Sequence, residues 1–266
     1  MKTLQEVIQQ QTTEVSEYRR IATDAVLQFC KPNPAIVGAL LSGSAARGDA
    51  RNGPFGFMID LIVVVEDKNA INLEEVFGPD KEPDIPFHCI PYEGSALQIE
   101  VRTLEDLRSI RTRSEAEIFA KQEAIVLLDR TGRLVEWKRT AFVVTPEEIR
   151  NRALMNFFRF QYLTDPYHQE KWTNREAWIQ LAQNANEACE CYCSFLYSIN
   201  GWFIPRKDWL VYFTYDLKDK PAEHEQLIEG SYRTDLTREG VIRRFKSLEA
   251  LGEWMKDYCR KKRWIV

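Results

Sequence analysis

The sequence predicts an α+β fold: a mixed sheet with flanking helices over residues 1–142, then a C-terminal helical bundle over 143–266. Three observations carry this. Short β-branched runs alternate with helical patterns as far as about residue 140, as expected where strands and helices share one unit. Thr145-Pro146-Glu147-Glu148 then joins a capping threonine, a proline at the first helical position and a glutamate placed to reach back to the cap. Beyond it the strand signals fade, and 266 residues suffice for two ordinary domains.

Taken in order, Leu4, Val7, Ile8, Val15, Tyr18, Ile21, Ala22 and Val26 recur at helical spacing up to Cys30, where Lys31-Pro32-Asn33-Pro34 breaks the helix. Residues 35–41 are apolar and short, a first strand ending at Ser42-Gly43-Ser44. Met58–Val65 is β-branched throughout its second half and reads as a strand buried on both faces. Residues 66–80 are polar, with one helical turn expected around Leu73–Phe77. Two strands follow, 86–90 and 97–103, joined across Tyr92-Glu93-Gly94-Ser95. Segments 104–112 and 114–123 are charged and helical, the second capped by Ser114. A short strand over 124–128 is closed by Asp129-Arg130-Thr131-Gly132-Arg133.

In the second part, Thr173-Asn174-Arg175-Glu176 repeats the capping pattern and is expected to open a long helix through Trp178, Leu181, Ala185 and Phe195 to Asn200-Gly201. Further helices are expected from near Pro205, over 221–228, and from Thr237, the last with Ile242, Phe245, Leu248, Leu251, Trp254, Met255 and Tyr258 facing inward.

A formal charge of −4 and a pI near 5.6 leave no footprint of a general nucleic-acid binder, and Arg260-Lys261-Lys262-Arg263 reads as a solvated helix end. No apolar run is long enough to span a membrane, and the N-terminus lacks a signal-peptide core. Six cysteines without framework spacing fit a reducing compartment, so a cytoplasmic protein is expected.

Chemistry concentrates in residues 36–66. A glycine at Ser42-Gly43-Ser44 allows a tight turn and a close backbone approach to a ligand. Backbone N–H groups of such a turn, the Ser44 hydroxyl and Arg47 together suit an anion such as a phosphate. Asp60 stands near the start of an otherwise apolar strand, where an ionised carboxylate needs a partner or a metal. Alternation places Met58 and Asp60 on one face of the strand and Ile59 and Leu61 on the other.

Gly43-Ser44, Ala46-Arg47-Gly48 and Met58-Ile59-Asp60-Leu61 occur in the order of the nucleotidyltransferase superfamily, and the chain resembles its aminoglycoside and lincosamide nucleotidyltransferases. Two departures stand out. Met58 occupies the place of the family's first metal-binding aspartate, and a thioether is a poor ligand for a hard cation. The loop between turn and strand is also a few residues longer than in the family. The resemblance implies Mg²⁺ at Asp60, phosphates held by Gly43, Ser44 and Arg47, and a third acidic residue from a neighbouring strand acting as ligand or base, for which Glu100 is the candidate. It implies a lysine near the triphosphate, with Lys207 as candidate, and a helical bundle that supplies the second substrate's pocket.

The implied reaction moves a nucleoside monophosphate, AMP from Mg-ATP, to a hydroxyl of a small molecule such as an aminoglycoside-like antibiotic, releasing pyrophosphate. Two alternatives share these residues: a catalytically silent nucleotide-binding module, and adenylylation of a protein hydroxyl of the toxin–antitoxin type. Cys189, Cys191 and Cys193 do not share one helical face and read as core cysteines. His88, His168 and His224 are scattered singly and read as structural or exposed. Phe157, Phe158, Phe160, Tyr162, Tyr167 and Trp172 are numerous enough to line an acceptor pocket, although helix packing explains such residues more often. No P-loop, dinucleotide-binding glycine motif, Gly-x-Ser-x-Gly elbow or His-Glu-x-x-His occurs.

Overall fold

A computed structural model describes residues 4–50, 57–232 and 237–266. The first three residues, the middle of the long loop, 51–56, and residues 233–236 lie outside them, as do the side chains of Leu4, Val7 and Ile8. The chain is α+β and divides into two compact units, Met1–Val143 and Val144–Val266. Among the described residues no helix is long and apolar enough to cross a membrane.

The first unit holds a five-stranded mixed sheet of β1 (Ile36–Leu41), β2 (Met58–Val65), β3 (His88–Tyr92), β4 (Ser95–Thr103) and β5 (Ile125–Asp129), in the order β3-β4-β2-β1-β5. β2 and β4 run parallel; the other pairs are antiparallel. The helices of this unit are α1 (Leu4–Ala25), continued as a π-helical turn over Val26–Cys30, α2 (Gly43–Arg47), α3 (Leu73–Phe77), α4 (Leu104–Arg108), α5 (Glu115–Gln122) and α6 (Arg133–Thr140).

Alternation along β2 sorts its two faces. Ile59, Leu61, Val63 and Val65 share one buried cluster with Val15, Tyr18, Ile21, Ala22 and Ala25 of α1. On the opposite face α6 lies so close to β1 that a Cβ at Gly38 would fall 2.2 Å from Leu134 Cδ1, so that contact requires glycine. Trp137 Nε1 donates to Leu107 O at 2.8 Å and ties α6 to α4. α6 is not expected from the sequence, which reads Asp129–Arg133 as closing a strand; Asp129 starts it, accepting from the Leu134 and Val135 amides at 3.0 Å each.

The second unit is helical: α7 (Pro146–Thr164), α8 (Pro166–Thr173), α9 (Trp178–Ile199), α10 (His224–Ser231) and α11 (Arg238–Lys261). Thr145 and Glu148 form the expected capping box, Glu148 N donating to Thr145 Oγ1 at 3.2 Å and Thr145 N to Glu148 Oε2 at 2.7 Å. Three expectations fail here. Thr173 ends α8 instead of capping α9, because Asp165-Pro166 starts a helix earlier: Tyr167 N donates to Asp165 Oδ1 at 2.9 Å. The stretch after Pro205 makes only the 3₁₀ turns Lys207–Trp209 and Tyr212–Asp216. Ile242, expected inward, is 45% exposed on α11.

Candidate functional site

The Gly43–Asp60 pair is brought together by the β1–β2 ladder. Leu41 lies opposite Leu61, and Ser42 N donates to Asp60 O at 2.8 Å, so the end of β1 meets the start of β2. Gly43 then opens α2 with φ of +65°, a conformation that favours glycine. A Cβ at this position would fall 1.8 Å from Asp60 Oδ2 and 2.8 Å from Asp60 Cγ. The carboxylate therefore occupies the space that any other residue at 43 would need. Ser44, Gly43 and Asp60 are all half-buried. The small-residue turn expected from the sequence is thus a single helical turn set against the in-strand carboxylate.

In the parallel β2–β4 pairing Met58 lies opposite Ala96, Asp60 opposite Gln98, and Ile62 opposite Glu100. Residues paired this way share a face, so Gln98 stands beside Asp60, and Glu100 sits two residues further along β4. Glu100 is on the expected face, but its carboxylate is committed elsewhere: Arg102 Nε donates to Oε1 at 2.7 Å and Lys121 of α5 bonds Oε2. Burial would raise its pKa; Lys121 and Arg102 outweigh burial and hold it below the ordinary carboxylate range. A carboxylate held ionised in this way is a poor base. The expectation that Glu100 supplies the base therefore meets an ion-pair cluster, of which the sequence offers Arg102, two residues along the same strand, but not Lys121.

Arg47 is also engaged. Its Nε lies 3.3 Å from Asp49 Oδ1, with side-chain exposures of 11% and 2%. Met58 is 49% exposed at the head of β2, on the face of Asp60. On the far side of β4, Cys89 pairs with Gln98. Burial first, then the nearby carboxylates Glu82, Asp80 and Asp60, push the Cys89 thiol up. A bare phosphate is unfavourable beside such carboxylates; a cation is favourable.

The donor set decides which metal chemistry fits. One Mg²⁺ needs one or two carboxylates and takes its remaining ligands from water and phosphate, so Asp60 and the neighbouring Gln98 amide oxygen suit a single ion brought by a triphosphate. Among the described residues the places that the resemblance gives to a second ion are a thioether at 58 and Glu100 in ion pairs, neither of which suits one. Among the described residues no group of three or more His, Cys, Asp or Glu is placed to hold a metal.

Lys207 belongs to the second unit, where it begins a 3₁₀ turn, is 81% exposed and lies 2.9 Å from Glu190. The Glu190 hydrogen bond raises its pKa. Phe157 and Phe160 pack in the helical core, whereas Phe158, Tyr162 and Tyr167 are more than half exposed. A groove of about 460 Å³ between α7, α8 and α11 has Phe160, Phe245, Lys246, Glu249 and Glu253 among its lining. Cys189, Cys191 and Cys193 are buried free thiols, as the helical spacing suggested.

Lys121 is the neighbour that sequence reasoning misses, and Gln98, polar on the face of Glu100, is not placed beside Asp60 by the sequence. Gln98 is two residues from Glu100 on the same strand face, but only the register of a parallel pair says which of them adjoins Asp60. Lys121 carries no local signal, lying 21 residues from Glu100 on a separate helix.

A family model described as a domain of unknown function (DUF4037) matches residues 111–210, a span that leaves out the Gly43–Asp60 corner. No curated protein matches the chain. Among solved structures the chain is similar to a nucleotidyltransferase-like protein from Exiguobacterium sibiricum 255-15, with 11% identity and a TM-score of 0.46 over 90% of this chain and 80% of that one.

Proposed function

We propose that the first unit is a nucleotidyltransferase-type module that binds a nucleoside triphosphate, ATP foremost, at the corner formed by Gly43, Ser44 and Asp60. The observation that supports it is the Asp60 carboxylate set against an obligatory glycine at the end of β1. Asp60 would hold one Mg²⁺, and that ion would offset the phosphate charge that the Asp60 carboxylate otherwise repels. Arg47 would reach phosphate only by giving up Asp49.

The chemistry expected of such a module is nucleotidyl transfer. A small-molecule hydroxyl oxygen bonds to the α-phosphorus, the bond from that phosphorus to the β-phosphate oxygen breaks, pyrophosphate leaves, and the hydroxyl proton passes to a base. Glu100 lies on the right face for that base, but its pairing with Lys121 and Arg102 weakens it. This observation favours a second reading, a module that binds Mg-nucleotide and forms no product. The acceptor, whether an aminoglycoside-like amino sugar or a protein hydroxyl, is not specified by fold.

Calorimetric titration with each of the four nucleoside triphosphates in Mg²⁺, on wild type and Asp60→Ala, tests the binding. Saturable binding abolished by Asp60→Ala is the expected result; no binding of any triphosphate overturns the reading. Pyrophosphate release by wild type in the presence of amino-sugar acceptors would establish transfer without a second carboxylate. Release only by Met58→Asp would identify a silent module, and label from α-labelled ATP on a protein band would identify protein adenylylation.

A further inference from the structure

α2 has five residues, fewer than a helix needs to hold itself by its own hydrogen bonds. Contacts at its C-terminal end hold it instead. Gly48 N and Asp49 N donate to Ser44 O at 2.8 and 3.1 Å. From α1, Arg19 Nε donates to Ala45 O at 3.0 Å and Arg19 Nη2 to Ala46 O at 2.8 Å. A planar guanidinium fork matches two successive carbonyls, which a lysine ammonium cannot do. Ala45 and Ala46 are themselves buried in the core that α1 makes with β2, and the clamp is partly buried beside them. The other end of the same helical turn is Gly43, against Asp60.

We infer that Arg19 is a positioning residue for the Asp60 corner: by holding the Ala45 and Ala46 carbonyls it fixes α2, and through α2 the placement of Gly43 and Ser44 against the Asp60 carboxylate. Arg19 acts through the backbone of α2 and is not assigned to touch the ligand. The inference rests on reading that corner as a triphosphate site. Neighbouring Arg20 supplies the contrast, since it pairs with Glu17, Asp24 and Glu93 on the exposed side of α1. Two adjacent arginines of one helix thus have different work, one on the surface and one on the backbone of the site.

The test compares full-length wild type, Arg19→Gln, Arg19→Lys and Arg20→Gln by thermal midpoint, by hydrogen exchange of the Gly48 and Asp49 amides, and by calorimetry with Mg-ATP and the other three Mg-triphosphates. Arg19→Gln is expected to speed exchange of those two amides about tenfold and to weaken triphosphate binding about tenfold. Arg19→Lys should recover part of both losses, and Arg20→Gln should match wild type. A lowered thermal midpoint with wild-type affinity in Arg19→Gln would make Arg19 a packing residue only and overturn the inference while the site stands. Should Arg19→Gln not fold, wild-type exchange and affinity in Arg19→Lys overturn it equally. Absence of triphosphate binding by wild type removes the site reading and this inference together.

Discussion

The two units treat a titratable side chain among apolar neighbours in opposite ways. At the Asp60 corner charges are kept, half-buried at the end of a sheet and balanced by other charges: Glu100 by Lys121 and Arg102, Arg47 by Asp49. Inside the helical unit His224 is 2% exposed and kept neutral. Thr214 donates its only hydroxyl hydrogen to Val211 O at 2.6 Å, so His224 Nε2–H must donate to Thr214 Oγ1 at 2.9 Å, and Nδ1 then accepts from the Tyr192 hydroxyl at 2.8 Å. Every proton in that chain has one place. Burial, then Lys220, push the imidazole down to about 4. The difference is one of placement: the helical interior has spent its polar groups on each other, whereas the sheet corner holds its carboxylate half-buried where the end of β1 meets the start of β2.

The sharpest way to break this comparison is Gly43→Ala. Collision with the Asp60 carboxylate together with strain at positive φ should cost about 4 kcal/mol in urea unfolding and abolish triphosphate binding. A loss below about 1 kcal/mol would mean that Asp60 swings clear and the corner is not rigid.

The helical centre is tested next, by acid. Because the folded imidazole titrates at about 4 and the unfolded one at 6.5, the unfolded state takes up the proton first as pH falls. Stability from His224 is fully present above pH 6.5, declines below it, and is gone below about pH 4, a change of about 3 kcal/mol. Unfolding curves between pH 7 and 4 should lose that part of their slope in His224→Gln; an unchanged slope would show that the histidine is not held neutral.

Glu100→Gln should cost about 2 kcal/mol, since Lys121 and Arg102 would be left together with no carboxylate between them. The Glu100 contribution is present above the unfolded carboxyl value of 4.5 and is lost as pH falls through the lowered folded value. A neutral outcome, measured by urea unfolding at pH 7, would return Glu100 to candidacy as a free base. Smallest in stability is Met58→Asp, within about 0.5 kcal/mol at its exposed position, yet it should raise affinity for Mg²⁺ alone about tenfold by adding a second carboxylate on the Asp60 face. Unchanged Mg²⁺ affinity in calorimetry would show that residue 58 does not face the ion.

Much of the first unit was legible because its signals are local. The β-branched run of β2, the Ser114 cap and the Gly94 turn between β3 and β4 each declare themselves within a few residues. Less of the second unit was legible. α8 was hidden because Thr173-Asn174-Arg175-Glu176 imitates a helix start, while Glu176, with φ of +52°, in fact belongs to the turn between two helices. After Pro205 the aromatic residues are as apolar as a helix face, but in 3₁₀ turns Trp209 stacks on Phe213 and Tyr212 meets both of them edge-on.

By itself the sequence determined the α+β class, the approximate point where sheet gives way to helices, and the presence of one in-strand carboxylate and one tight glycine turn. Each follows from periodicity or from the stereochemistry of neighbouring residues. Tertiary structure alone decided which side chains stand next to Asp60. A parallel strand pair is joined through a long crossover, so no local turn sets its register, and packing placed Gln98 beside Asp60 and Glu100 between two cations.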